Sequence, residues 1–186
     1  MKTYKTPRII LLSLFFLGFF YAEAQSNYEI DKEASEILVD GTSNLHDWTI
    51  EVNTLEGKML LDENQNIKSL SLNIPVKGLE SGKKSMNKNT YEALKEEEHP
   101  NIFFKLDKLE KKDNNDVALG KLSIAGHTEN VSIPIQFTGT EGNKTIKAEY
   151  TINMVDYGVE PPTALFGSIK TGETVTVKVN LIYRNQ

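Results

Sequence analysis

Residues 69–106 read SLSLNIPVKGLESGKKSMNKNTYEALKEEEHPNIFFKL. Leu70, Leu72, Ile74 and Val76 alternate with Ser71, Asn73 and Pro75, the period of a half-buried strand. Ile102, Phe104 and Leu106 alternate with Phe103 and Lys105 in the same way. Between them the period changes. Met86, Thr90, Ala93, Leu94 and Glu97 fall at helical spacing, while Lys88, Glu92, Lys95 and Glu96 occupy the other face. Ser85 or Asn89 is the expected cap, and Pro100 the expected stop, because it biases His99 away from helical dihedrals. The rest of the chain after residue 24 gives no helix signal. One helical insertion in an otherwise all-strand chain predicts a barrel or sandwich with a helix laid over one end.

Upstream, Lys2, Lys5 and Arg8 precede the apolar run Ile9–Tyr21, and Ala22-Glu23-Ala24 is a small-x-small cleavage site. This reads as a secretory signal peptide, 1–24, followed by one domain, 25–186. Its apolar part is short for a bilayer span, and no later segment is long and apolar enough for one. The predicted location is therefore periplasmic or secreted. Cleavage after Ala24 leaves 162 of the 186 residues, enough for one sizeable core. Without Lys2, Lys5, Arg8 and Glu23 the chain has 18 basic and 25 acidic residues, net −7. That balance argues against nucleic acid, which needs a basic footprint. The chain has no cysteine, so the core must supply the stability.

Alternation recurs along the domain. Tyr28–Ile30 and Glu36–Thr42 open it. Trp48, Ile50 and Val52 pair with the register Leu55, Gly57, Met59 and Leu61. Lys111–Asp116 is a polar turn before Ala118, Gly120, Leu122 and Ile124. Gly126–Asn130 is read as the hairpin loop onto Val131, Ile133, Ile135 and Phe137. Ile146, Ala148, Tyr150 and Ile152 follow. Asp156–Thr174, with Pro161 and Pro162, reads as a long irregular stretch, and Val175, Val177, Val179 and Leu181 form the last strand. The total is about eight to ten strands with turn signals between them, the all-β pattern of an antiparallel barrel or sandwich. Gly57, Ala118, Gly120 and Ala148 stand in the inward register. Small residues there leave volume either for a ligand or for large neighbours to fill.

Several short patterns now stand in order: Gly41-Thr42-Ser43-Asn44-Leu45-His46-Asp47-Trp48; His99-Pro100-x-Ile102-x-Phe104; Gly120-x-Leu122-x-Ile124-x-Gly126-x-Thr128; Ile152-Asn153-x-x-x-Asp156-Tyr157-Gly158; and Gly172-Glu173-x-Val175-x-Val177. Together they resemble the YceI-like family of exported lipid- and polyisoprenoid-binding proteins, over roughly Tyr28 to Tyr183. The resemblance implies a lipocalin-like barrel with an apolar tunnel for a long isoprenoid or fatty chain, and a helix beside its mouth. Two departures are visible. His127 and Glu129 stand where relatives are often more basic, and Pro161-Pro162 marks the irregular stretch.

Register selects Trp48, Ile50, Met59, Leu72, Ile74, Phe104 and Leu122, and helix face selects Met86 and Leu94, with Tyr91 added from beside that face, as lining or gating residues. Methionine suits a ligand of variable shape. Lys83, Lys84 and Lys88 stand near the expected mouth, where ordinary surface lysines also occur. His46 beside Asp47 is a base–orienter pair in form, but no nucleophile can be placed near it, and turn chemistry explains the pair. The three histidines have no metal-ligand spacing. No cofactor, catalytic residue or metal is expected. The expectation is a carrier of an isoprenoid or long-chain lipid. The alternative is a filled barrel that acts as an extracytoplasmic protein-interaction or stress-response module. Monomer and homodimer both stay open.

Overall fold

The computed structural model describes residues 26–112, 115–164 and 166–186. The expected signal peptide and cleavage site lie outside the described residues, as do the two central residues of the 111–116 turn.

Among the described residues, twelve strands and one α-helix follow in order: β1 (Ser26–Ile30), β2 (Glu36–Ser43), β3 (Trp48–Val52), β4 (Glu56–Leu61), β5 (Ile67–Pro75), β6 (Leu79–Glu80), α1 (Lys84–Ala93), β7 (Asn101–Lys112), β8 (Asn115–Ile124), β9 (His127–Gly139), β10 (Asn143–Asn153), β11 (Thr163–Ala164) and β12 (Ile169–Asn185). Eight of them close an antiparallel barrel in the order β1-β4-β5-β7-β8-β9-β10-β12, with β12 returning to β1. Closure removes the exposed edges that an open sheet would present.

The long β12 makes closure work. One edge pairs with β10 from Asn153↔Thr174 to Asn143↔Arg184. The other edge is shared. Its C-terminal end pairs with β1 through Ile30↔Tyr183, and its middle pairs with β2 through Val39↔Val177 and Ile37↔Val179. Strand β2 carries β3, which meets β6 through Val52↔Leu79. Because β6 continues from β5, the wall beside the helix is closed by β2, β3 and β6, while the opposite end is closed by β1 and β4.

Alternation explains which faces turn inward. On β10, Ile146 and Ile152 are buried while Lys147, Glu149 and Thr151 are exposed. The core also holds Tyr28, Met59, Leu61, Leu181 and Tyr183, none more than 1% exposed. Each such side chain contributes about 1.5–3 kcal/mol of burial.

One pairing and three boundaries differ from the sequence reading. Strand β3 pairs with β2 and β6, and β4 with β1 and β5, so the two do not pair with each other. The β8–β9 turn is only Ala125-Gly126, both at positive φ (47° and 83°), as tight primed turns require. His127–Asn130 is therefore strand, paired through Thr128↔Ser123. The last strand starts at Ile169, not Val175, and absorbs Gly172–Thr174 in a register shift. Within the stretch read as irregular, Met154–Tyr157 is a 3-10 turn, and β11 pairs with β12 through Thr163↔Lys170.

Helix α1 ends at Ala93, and Lys95 turns left-handed (φ 54°) before Pro100 is reached. Its N-cap is Lys83, with no side-chain capping bond from Ser85 or Asn89. The helix is instead pinned by buried Asn87. The Asn87 Oδ1 accepts from the Ser81 backbone N–H (2.8 Å) and hydroxyl (2.6 Å), and Nδ2 donates to Glu80.

Candidate ligand-binding site

A cavity of about 810 Å³ lies inside the barrel, within the size range of about 300–1,000 Å³ usual for ligand pockets. Its wall is built from the inward register of successive strands. Ile37 and Val39 come from β2, Leu70, Leu72 and Ile74 from β5, Ile146 and Ala148 from β10, and Val175, Val177, Val179 and Leu181 from β12. Polar groups gather at one end: Ser43, His46, Lys83, Ser85, Asn89, Thr163 and Thr171. The space is therefore an apolar chamber with a polar mouth.

Of the residues selected from sequence, Trp48, Ile50, Leu72, Ile74, Met86, Leu94, Phe104 and Leu122 line the chamber. Trp48 lies flat over Gly41, where a Cβ would come within 2.1 Å of the ring, and its Nε1 donates to the Thr42 carbonyl at 3.0 Å. That bond holds the indole against the wall and leaves the bore open. Phe104 covers Gly120 in the same manner; a Cβ there would sit 2.9 Å from its ring. Gly57 is occupied by Leu72 and Tyr183. Gly41 and Gly120 thus accommodate aromatic rings, while Ala118 and Ala148 border the chamber.

Met59 and Tyr91 are placed elsewhere. Met59 is 1% exposed, in the layer beneath the chamber, where it pairs with Tyr28 and Leu70. The period-two rule turned it inward correctly, but nothing local shows that the β1–β4 wall is covered from within. Tyr91 turns off the lining face of α1. Its hydroxyl donates to the Leu79 carbonyl at 3.0 Å and lies 3.4 Å from Glu80 Oε1. Burial, then the Glu80 carboxylate, pushes its phenol above the ordinary value.

Most of the wall was not selected from sequence. The C-terminal strands β9, β10 and β12 supply much of it, with alternation as clear as that of β5, and β2 adds Ile37 and Val39. Tyr157, buried at the end of the 3-10 turn, also lines the mouth. Burial, then neighbouring Tyr150, Glu129 and Asp156, pushes its phenol up to about 12.

The mouth is framed by α1 on one side and two loops on the other. Asn44 ties the loops together: its Nδ2 donates to the Ser168 carbonyl, and its Oδ1 accepts from the Lys170 N–H, both at 2.9 Å. Leu45 and Phe166 stand exposed on these loops. His46 reaches the mouth, but its Nδ1 lies 2.8 Å from the Asp47 backbone carbonyl, not its carboxylate. The neighbouring Ser43 hydroxyl donates to the His46 carbonyl at 2.7 Å. His99 packs over Gly126, and His127 over Gly158. Lys83 borders the mouth, whereas Lys88 pairs with Glu92 at 3.5 Å.

An eight-stranded closed barrel with a dry interior chamber and a helix at its one polar rim defines a class of small β-barrels built around internal space. Residues 28–183 match the YceI-like domain, and the chain belongs to that family. Solved structures show the same fold. BcnA from Burkholderia cenocepacia is 17% identical with a TM-score of 0.71, covering 82% of this chain and 98% of its own. A polyisoprenoid binding domain from Saccharophagus degradans is 14% identical with a TM-score of 0.70, covering 86% and 98%. A Campylobacter jejuni YCEI protein is 16% identical with a TM-score of 0.61, covering 73% and 82%. No curated protein matches the chain.

Proposed function

We propose that this chain is an exported carrier that holds one long apolar chain, an isoprenoid or other amphipathic lipid, with its polar end at the mouth. The observation that carries this reading is the shape of the chamber: about 810 Å³, apolar along its length, with polar groups at one end only. Each methylene moved from water into such a space gains about 0.8 kcal/mol. A dozen therefore gain roughly 10 kcal/mol, comparable to the cost of association. Few polar contacts are then needed. Membership of the YceI-like family supports the reading, as does the polyisoprenoid binding domain that shares the fold. Export rests on the sequence of residues 1–24 alone. The role is binding without catalysis; His46 and Asp47 belong to the turn that shapes the rim.

The test is direct. Purified protein is denatured and extracted with organic solvent, and the extract is analysed by mass spectrometry. A lipid in stoichiometric amount is the expected result. A clean extract, with no uptake of added isoprenoid alcohols, would overturn the carrier and favour a protein-interaction role for the outer surface.

A further inference from the structure

The chamber stops at a definite level. On β12 its inward series runs Val175, Val177, Val179, Leu181, and Leu181 is the last of that strand to touch the space. The next inward residue is Tyr183, fully buried. No residue of β1 or β4 touches the chamber either, although Tyr28, Met59 and Leu61 all face the core. Something covers that wall from within, and the position of one ring explains it.

Tyr183 starts on β12 opposite Ile30 of β1. Its hydroxyl ends over Gly57 of β4, where a Cβ would lie 3.0 Å from the phenol oxygen and 2.9 Å from Leu72 Cδ2. The phenol therefore reaches past β1 to the next strand and ends beside Leu72, a residue that lines the chamber. Gly57 makes this reach feasible, because any side chain there would meet the ring. The Tyr183 hydroxyl has no hydrogen-bond partner among the described residues. A buried polar atom left unpaired is costly, so the residue is held here by the bulk of its ring and not by a hydrogen bond.

We propose that the Tyr183 ring, seated against Gly57 behind the chamber residues Leu72 and Leu181, backs the floor of the chamber as its stopper and sets how long an apolar chain it takes. This deepens the carrier reading and rests on it. The ligand class it defines has a single tail of limited length, entering tail first and leaving its polar end among the mouth residues. The next inward layer lies two residues further along the strand, about 6.6 Å at ~3.3 Å per residue. Shrinking the stopper therefore adds room for about one isoprene unit.

The delipidated full chain is titrated with farnesol, geranylgeraniol and geranylfarnesol, and the length of tightest binding is read by native mass spectrometry. Tyr183→Ala, which clears the whole layer, shifts that length up by about one isoprene unit. Tyr183→Phe, which keeps the ring, retains the unaltered preference. Leu181→Phe raises the floor and shifts the preference down, which keeps the test decisive even if Tyr183→Ala fails to fold. A folded Tyr183→Ala protein with the unaltered preference overturns the stopper, and so does a Leu181→Phe protein that shows no downward shift. Both results leave the carrier standing, because the alcohols still bind. If the unaltered protein binds none of the three, the carrier falls and the stopper with it.

Discussion

At the scale of single residues, the inward positions divide by what fills them. Gly57 and Gly120 accommodate Tyr183 and Phe104, while Ala118 and Ala148 border open space. Tyr183 has an energetic consequence of its own. Its buried hydroxyl has no partner among the described residues, a desolvation cost of about 1–3 kcal/mol. Tyr183→Phe is expected to stabilise the protein by about 1 kcal/mol, a rise in Tm of roughly 2–4 °C for a domain of this size. Burial also pushes the Tyr183 phenol above its ordinary 10.0, and Tyr157 rises to about 12. A raised folded value favours the neutral phenol in the fold. Stability from these groups is whole below pH 10 and falls as pH climbs from 10 through the folded value. Tyr183→Phe therefore also flattens the alkaline loss. A lower Tm for that variant would show that the hydroxyl is satisfied, and an unchanged alkaline slope would show that burial does not raise the phenol.

At the scale of elements, the β8–β9 hairpin and the segment after α1 are joined at one point. Gly126 has φ 83°, and a Cβ on it would come within 2.4 Å of His99 Nε2. Gly126→Ala is expected to cost more than about 1 kcal/mol, through backbone strain and displacement of the His99 ring. Gly82→Ala carries strain alone, since Gly82 has φ 74° in open space. Urea midpoints separate the two effects, and equal losses would mean that His99 does not hold the turn. The strands themselves were legible because each has one wet and one dry face. The helix was legible by period, but its start was not, because Asn87 clamping Ser81 and Glu80 replaces the cap that local rules select. The hairpin loop was placed too late because His127–Asn130 looks polar and loop-like, yet pairs as an exposed strand.

At the scale of the whole molecule, closure was the part the sequence left open. It depends on β12 serving β10 on one edge and both β1 and β2 on the other, a division that no alternation pattern encodes. The site follows the same logic. Trp48, Leu72 and Phe104 were identified by register. Met59 points inward as its register requires, but it stands on β4, which contributes nothing to the chamber wall, and period two does not show that. Wall residues on β9 and β10 were overlooked for want of a reason to choose among equal strands.

The single tryptophan tests the central claim, because Trp48 borders the chamber. Delipidated protein is titrated with geranylgeraniol while Trp48 emission is followed. An occupied chamber excludes water from the inner face of the indole, so emission shifts to the blue and saturates at one equivalent. An emission spectrum unchanged at every ratio, with no complex in native mass spectrometry, would contradict an interior built to hold an apolar chain.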